Sequence, residues 1–593
     1  MTPPEAPDPP APRSVAASLV RGLRAVARSH EIALVVAAAV VGLIAATCVT
    51  GMTEAAIRAH ILIFNLSFDV RLSATDRVAP LAALAALTLG GLSLGLMEAF
   101  RLARQISGPV DPVEANALRG GRMSLRDSFV VGMQTLISNS VGASVGLEAG
   151  YTQVGSGIGS YLGQKLNLRR NDLRLLVGAG AAAAIGGAFG APLTGAFYAF
   201  EVVLGTYSIA AAGPVFAGSI VGVLTTRFLA GAPYQVRMPT VEQMTLADYP
   251  ALFLLAALSV ALGVGAMRAA GASERALQAT PIPVWARPVV GGLAVAALAT
   301  VTPQVLGAGH GALSLNVIAN FPISVLAAFL ALKMVASLIS LASGFRGGLF
   351  FASLFMGATL GKIYGAAFIA LFPVQAPDPA VCILAGMATF GVVIVGGPLT
   401  MSFLVLENTG DYSVTAAVIA AAVVASLMVR ATFGYSFSTW RLHLRGQNVR
   451  SANDVGWISE LQVDGLMRPE PPTAPAWLDI DAFCESHPPG SAQFVILTDE
   501  AGRYAGMVSV AEAHFHAHKA EGWVSALAKQ KDVWLVPLMN AKTAMTLFDQ
   551  TEADQLAVLD PETKAPIGVL NEAYLARRYA EQADAAVRSA FGI

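Results

Sequence analysis

The sequence has little charge and little cysteine. Only 13% of its 593 residues are charged, against roughly 25% in a soluble globular chain, whereas 55% are hydrophobic. So little charge cannot cover a large water-facing surface, and this composition also excludes disorder over most of the length. The three cysteines, Cys48, Cys382 and Cys484, lie far apart, which argues against a disulfide framework or a cysteine metal site. The net charge of −1 offers no basic excess for binding nucleic acid.

Long apolar stretches take up most of the first 450 residues. The stretch 175–226 contains a single charged residue, Glu201, and the stretch 347–406 contains two. A membrane helix needs about 20 residues, so each stretch holds more than one. Glycine and proline interrupt them at 186–192 and 396–398. Broken helices at membrane depth are buried in protein or line a cavity, as in transporters. The pattern predicts a polytopic membrane protein.

Basic residues flank the apolar region at both ends. They are Arg13, Arg21, Arg24, Arg28, Arg441, His443, Arg445 and Arg450. The positive-inside rule then places both termini in the cytoplasm. We expect a multi-pass protein of a bacterial inner membrane, with a disordered, proline-rich cytoplasmic tail over 1–30.

The amino-acid composition becomes more polar after about residue 450. A strand–turn–strand–helix pattern over 494–512 recurs over 556–575, about sixty residues later. The sequence therefore predicts a soluble tandem α/β repeat over 460–585.

Glu148 is the leading candidate for chemistry in the membrane region. It lies in the glycine-rich break 142–155, directly before a predicted helix. Helix N-termini carry unpaired N–H groups and partial positive charge, so they bind anions without a basic side chain. The carboxylate of Glu148 then competes with an anion for this place. The alternative is a capping carboxylate that only stabilises the helix.

Three further motifs have polar or glycine-rich character. The break 343–350 also precedes an apolar helix, which suggests an inverted repeat, although glycine-mediated helix packing explains it too. Ser107 lies in the segment 106–112, and its hydroxyl could donate a hydrogen bond to an anion. The alternative interpretation is that this segment is an ordinary turn. Tyr435 ends the membrane region, where tyrosine is otherwise an interfacial residue.

Together these motifs resemble those of the CLC family of chloride channels and proton/chloride exchangers. The resemblance covers about residues 31–446. It rests on Gly146-Leu147-Glu148-Ala149-Gly150, Ile106-Ser107-Gly108-Pro109, Gly348-Leu349-Phe350-Phe351-Ala352 and Tyr435-Ser436, with two further stretches over 190–201 and 404–412. The C-terminal repeat resembles tandem CBS domains.

The resemblance implies an all-α polytopic membrane domain, an inverted repeat of tilted and re-entrant helices, followed by a cytoplasmic α/β CBS-domain pair. The halves would span about 31–233 and 249–446. It implies a homodimer with one ion path per subunit in the lipid bilayer, chloride as the transported ion, and no metal or other cofactor. Glu148 would be the gating glutamate. The anion would be held at Ser107, Leu147, Glu148, Ala149, Leu349, Phe350 and Tyr435.

The departures from the family motifs affect anion selectivity. The family's basic residue is replaced by Leu147, and the following glycine and proline by Ala149 and Gly150. Ile106 and Ala352 replace a glycine and a proline, and Pro109 lies one position early. Chloride is the default ion, with other small anions as alternatives.

Val202 bears on proton coupling. In bacterial exchangers of the family, this position is an internal proton-accepting glutamate, whereas family channels have an apolar residue. A passive chloride channel is therefore favoured, with a proton-coupled antiporter as the alternative. A distant alternative is an intramembrane enzyme that uses Glu148 and Glu407 as an acid/base pair. The sequence shows no set of other catalytic residues or metal ligands to accompany them. A cation carrier would have more midplane acids.

The CBS-like repeat is expected to be structural, dimerising or regulatory. An adenine nucleotide is a possible ligand, but the ribose-binding aspartate of the family is replaced by Glu512 and Glu572 in the two copies.

Overall fold

The computed structural model describes residues 31–67, 70–106, 108–231, 244–373, 377–445, 461–517 and 522–591. The tail predicted over 1–30 and the candidate Ser107 lie outside the described residues. The chain divides into two compact units, separated between residues 453 and 454.

The secondary-structure elements of the first unit, within its described residues, are helices. Its α-helices are α1 (Glu31–Phe64), α2 (Pro80–Ala103), α3 (Pro112–Leu118), α4 (Leu125–Ser140), α5 (Glu148–Lys165), α6 (Arg170–Phe189), α7 (Pro192–Tyr198), α8 (Ile209–Ala230), α9 (Tyr249–Gln278), α10 (Arg287–Val301), α11 (His310–Ile318), α12 (Ile323–Ser343), α13 (Phe350–Leu371), α14 (Pro379–Val395), α15 (Pro398–Thr409), α16 (Tyr412–Thr432) and α17 (Phe437–Leu444). A π-helical segment, Ala199–Leu204, directly follows α7.

Eight helical stretches in the described residues are long and apolar enough to cross a membrane. Others are shorter because glycine and proline end and restart them. α14 ends at Gly396, whose φ of +90° is the left-handed conformation that glycine tolerates, and Pro398 then begins α15. These breaks place helix ends inside the protein rather than at its surface.

Facing glycines let neighbouring helices approach closely at two places in this unit. A Cβ on Gly155 of α5 or on Gly180 of α6 would overlap the carbonyl oxygen of the other. Gly357 of α13 and Gly386 of α14 have the same relationship. In a membrane, where apolar side chains gain little by leaving lipid, such close packing supplies much of the association energy. The two helices that begin after the glycine breaks, α5 and α13, are thereby packed closely against α6 and α14.

The second unit contains two three-stranded sheets. One has the order β2 (Thr473–Pro475), β3 (Phe494–Thr498), β4 (Tyr504–Ser509), and the other has β1 (Arg468–Pro469), β6 (Pro566–Asn571), β5 (Gln555–Leu559). The accompanying helices are α18 (Ile480–Ser486), α19 (Val510–His516), α20 (Ala541–Thr551) and α21 (Glu572–Phe591). The antiparallel pairs β3–β4 and β5–β6, each followed by a helix, confirm the predicted strand–turn–strand–helix pattern.

Equivalent aspartates stabilise the turns of the two hairpins. The Asp499 carboxylate accepts hydrogen bonds from the N–H groups of Ala501 and Arg503, and Asp560 accepts them from Glu562 and Thr563. The bond from the Arg503 amide is the largest influence that lowers the pKa of Asp499. For Asp560, the bond from the Thr563 amide has this role.

Candidate functional site

The two glycine breaks lie side by side. The N–H of Gly146 donates to the carbonyl oxygen of Gly348 at 2.9 Å, and the N–H of Gly348 donates to that of Gly146 at 3.0 Å. This short antiparallel bridge ties the start of α5, at Glu148, to the start of α13, at Phe350. Two positive helix ends are thereby held together inside the protein.

Glu148 is buried at this junction, with a relative exposure of 4%. The backbone N–H groups of Glu148 itself and of Phe351 interact with its carboxylate. Its Oε2 atom has no hydrogen-bond partner among the described residues. A Cβ on Gly146 would overlap the same atom, so the carboxylate can hold this position only because residue 146 is glycine. The carboxylate therefore occupies a tight position at the helix start and is only partly satisfied by hydrogen bonds.

Two cavities meet at Glu148. The first has a volume of about 150 Å³ and extends from Glu148 to Ser438 and Arg441 of α17. The second has a volume of about 210 Å³ and extends from Glu148 to His60 of α1 and His310 of α11. Among the described residues, Glu148 is the one that lines both cavities. Its side chain separates them.

The structure distributes the other predicted site residues over these two cavities. Ala149, Leu349, Phe350 and Val202 line the first cavity with Glu148. Leu147 lines the second cavity. Leucine at this position makes the second cavity less positive than a basic side chain would.

Tyr435 lies in a different setting from the one that the sequence suggests. Its hydroxyl is 3.2 Å from Nδ1 of His443, and its ring stacks on the His443 ring with 4.7 Å between centroids. Among the described residues, Tyr435 is not part of the lining of either cavity. The hydroxyl and the imidazole therefore share a hydrogen bond next to the site.

The carboxylate of Glu201 is directed at the start of α15. It accepts hydrogen bonds from the N–H groups of Leu399 and Thr400 at 2.9 and 2.8 Å, and from the Tyr207 hydroxyl at 2.8 Å. Its neighbour Val202 faces the first cavity, whereas Glu201 is absent from the described linings. These contacts hold the carboxylate away from the cavity.

Lys333 is a charged residue near the site that the sequence analysis overlooked. It lies on α12 with 0% exposure, and its ammonium group donates to the carbonyl oxygens of Gly307 at 2.6 Å and Val305 at 3.2 Å. It also interacts electrostatically with Glu148. The signal was present, because a lone lysine in the apolar stretch 323–343 marks a functional candidate.

Asp111 and Arg346 lie within the sequence motifs 106–112 and 343–350, and the sequence predicted no role for them. Both line the first cavity. Asp111 caps α3 by accepting from the N–H of Val113 at 2.8 Å. No group of three or more potential metal-ligating side chains is found in the described residues. The first cavity thus combines two helix starts, basic side chains and few acids, which is a setting for a small anion.

Comparisons with known proteins agree with this architecture. A family model described as voltage gated chloride channel matches residues 89–430. A putative chloride channel protein ClcB-like of Ralstonia nicotianae is 33% identical over 375 residues, which cover 61% of this chain and 86% of that protein. The voltage-gated ClC-type chloride channel ClcB of Escherichia coli K12 is 28% identical over 401 residues, covering 66% and 94%.

Solved structures share the fold. The structure of a slow cyanobacterial Cl−/H+ antiporter matches with a TM-score of 0.60 and 22% identity, over 70% of this chain and 99% of that one. A eukaryotic CLC transporter matches with a TM-score of 0.58 and 16% identity, over 94% and 98%. Since the family model spans more than half of the chain and the Ralstonia protein is more than 30% identical to it, this multi-pass membrane protein belongs to the CLC family of voltage gated chloride channels.

Proposed function

We propose that this protein carries chloride across the membrane along a path that Glu148 gates. The observation that carries the proposal is the position of Glu148, which lines both cavities and separates them. When ionised, its carboxylate occupies the place where two helix starts attract an anion. When it is protonated or displaced, the two cavities join. Membership of a family of channels and transporters argues against the acid/base enzyme.

The proposed anion position is formed mainly by backbone N–H groups. Its members are Ser107, Leu147, Glu148, Ala149, Leu349 and Phe350, with the serine hydroxyl as a further donor. Tyr435, expected here from the sequence, is not part of the proposed position, because it lines neither cavity and its hydroxyl lies 3.2 Å from Nδ1 of His443. The absence of a lysine or arginine from this set suits conduction, because a bound ion must also leave.

Passive conduction is the form of transport that we favour. Val202 lines the first cavity at the position expected for a proton acceptor, and valine cannot titrate. Glu201, the adjacent acid, is engaged in hydrogen bonds to the start of α15. The relatives named ClcB are described as chloride channels.

Proton-coupled exchange is the second candidate, and one observation favours it. Asp111 lines the first cavity together with Glu148, so a second titratable carboxyl lies on the same side of the gate. In an exchanger, Asp111 would pass protons between Glu148 and the solution.

A reversal-potential measurement in liposomes separates the two candidates. With a chloride gradient and a tenfold proton gradient, a passive channel reverses at the chloride equilibrium potential. An exchanger departs from it, because one pH unit is worth about 1.4 kcal/mol per proton. The protein is an exchanger if its reversal potential departs from the chloride equilibrium potential and if Asp111→Asn abolishes this departure while chloride flux persists. Absence of any chloride-dependent flux would overturn both.

We also propose that the protein lies in a bacterial inner membrane with both termini in the cytoplasm. We further propose that it is a homodimer. The dimer rests on the resemblance to the family. The large exposed apolar side chains on α8, among them Ile209 at 92% and Phe228 at 89% relative exposure, must be covered by lipid or by a partner subunit. A partner subunit would cover part of this surface. Mass measurement of the protein in a mild detergent tests the dimer.

The second unit is proposed to be a CBS-like pair that regulates or stabilises the protein without forming the ion path. Its two antiparallel hairpins, β3–β4 and β5–β6, each followed by a helix, support a tandem repeat. Glu512, at one proposed nucleotide position, forms an ion pair with Lys529 at 2.7 Å. A chain that ends near Arg450 should still carry chloride if it is purified as a dimer. An inert but intact truncated dimer would contradict this role.

A further inference from the structure

Three arginines stand where the first cavity meets a third cavity. The third cavity has a volume of about 460 Å³. Arg346, Arg441 and Arg445 line both cavities, together with Pro109. An ion that moves from the third cavity towards Glu148 therefore passes these side chains.

Two separate elements present the three arginines. Arg346 lies in the turn between α12 and α13, where its backbone N–H donates to Oγ of Ser138 at 3.0 Å. Arg441 lies on α17, and Arg445 directly follows that helix. The spacing of four residues places Arg441 and Arg445 on one face. Their convergence with Arg346 on the same two cavities is a feature of the tertiary structure.

The three guanidinium groups retain unused donors. In the part of the chain that the structure describes, none of these guanidinium groups forms a hydrogen bond or an ion pair. Arg441 lies over the Phe437 ring at 5.9 Å, a contact that leaves its N–H groups unused. The acids nearby are largely engaged: Glu98 pairs with Arg101 at 2.6 Å, and Asp111 caps α3.

Positive charge also exceeds negative charge here. Five arginines line the third cavity but only two glutamates, Glu98 and Glu274. Glu274 and Asp111 attract Arg441, whereas Arg445 repels it. A bound anion would relieve the repulsion and satisfy the free donors.

We propose that Arg346, Arg441 and Arg445 form a second anion site, which binds an oxyanion of the phosphate class. A guanidinium presents a planar fork of donors that matches two oxygens of a phosphate, and several such groups favour an oxyanion over a spherical halide. The third cavity is also larger than a chloride ion requires. Occupation of the site blocks the passage between the third cavity and Glu148, so cytosolic phosphate compounds restrain chloride flux.

Calorimetry on the purified full-length protein tests binding directly, without reference to transport. Inorganic phosphate is titrated in low-salt buffer at constant chloride concentration. We expect saturable binding to the wild-type protein, weakened roughly tenfold by Arg346→Gln, as for loss of one charge-assisted contact. Equal phosphate affinity in wild-type, Arg346→Gln and Arg441→Gln proteins would overturn the proposal, as would absence of phosphate binding.

Arg287→Gln is the matched control. Arg287 lines the same third cavity, but its guanidinium already donates to the carbonyl oxygens of Ile282 and Gln278 at 3.2 and 3.4 Å. Its loss should change phosphate affinity less than about twofold, because long-range charge effects are screened. A tenfold effect in this control would show diffuse attraction rather than a site. If Arg346→Gln fails to fold, Arg445→Gln, at an exposed position, serves the same comparison.

Liposome flux then tests the block and identifies the source of the phosphate group. This step rests on the proposed chloride transport, whereas the calorimetry does not. Inhibition by added phosphate in phosphatidylcholine vesicles indicates a soluble ligand. Inhibition that requires phosphatidylglycerol in the vesicles indicates a lipid headgroup. Either inhibition should be lost in Arg346→Gln, and flux insensitive to both phosphate sources would refute the block.

Discussion

Glu201 and Glu407 cap each other's helices. The carboxylate of Glu201 binds the start of α15, the helix that carries Glu407, through the N–H and hydroxyl groups of Thr400 at 2.8 and 2.6 Å. The carboxylate of Glu407 binds the start of α7, which leads to Glu201, through the same groups of Thr194 at 2.8 and 2.6 Å. Each glutamate follows the proline of its own helix by nine residues. The reciprocal pair thereby holds α7 and α15 together.

Removing one of these caps should destabilise the first unit. Glu407→Gln places an amide group against the N–H groups of Leu193 and Thr194, which now donate to the carboxylate at 2.7 and 2.8 Å. We expect a loss on the order of 1–3 kcal/mol, measured as a lower thermal unfolding midpoint in detergent. Tyr207→Phe, which removes one hydroxyl contact to Glu201, should cost less. An unchanged midpoint for Glu407→Gln would show that the cap is dispensable.

Replacing the gate by its neutral analogue should remove the pH dependence of chloride flux. Glu148→Gln resembles the protonated side chain, so flux should be nearly constant over roughly pH 4–8, where carboxyl groups of proteins titrate. Liposome efflux assays across this range provide the measurement. Glu54→Gln is the control, since Glu54 lines the second cavity but pairs with Arg58. Wild-type pH dependence in Glu148→Gln would remove Glu148 from this role.

The charge of Lys333 should set the pH at which the gate responds. Its ammonium group favours the ionised carboxylate of Glu148, so Lys333→Met should move the flux profile to higher pH. Lys362→Met is a matched control, because Lys362 also donates to backbone carbonyls, those of Asn316 and Ala319. The prediction fails if both variants shift the flux profile equally, or if neither does.

A methyl group at Gly146 should displace the gate. The Cβ of Gly146→Ala overlaps Oε2 of Glu148, so the carboxylate must leave its position at the start of α5. We expect higher flux with weaker pH dependence, approaching the behaviour of Glu148→Gln in the same efflux assay. Gly265→Ala on α9, where a Cβ meets nothing within 4 Å, is expected to behave as wild type. Equal flux in both glycine variants would place the carboxylate elsewhere.

The sequence by itself determined the class of the protein and much of its anion chemistry. Low charge and long apolar stretches required a membrane, since such a chain cannot cover itself with polar surface. The glycine breaks before Glu148 and Phe350 identified two helix starts, because glycine and proline act through the local backbone. The hairpins of the second unit followed from short apolar runs separated by turn residues.

Tertiary structure alone decided which of these features meet. The bridge between Gly146 and Gly348 joins positions some 200 residues apart in the sequence, and no local rule predicts such pairing. Helix packing likewise places Lys333 near Glu148. It also brings Glu201 and Glu407 to the helix starts that they cap. Side chains distant in sequence converge because buried donors and charges need partners, and only the folded chain determines which partner is within reach.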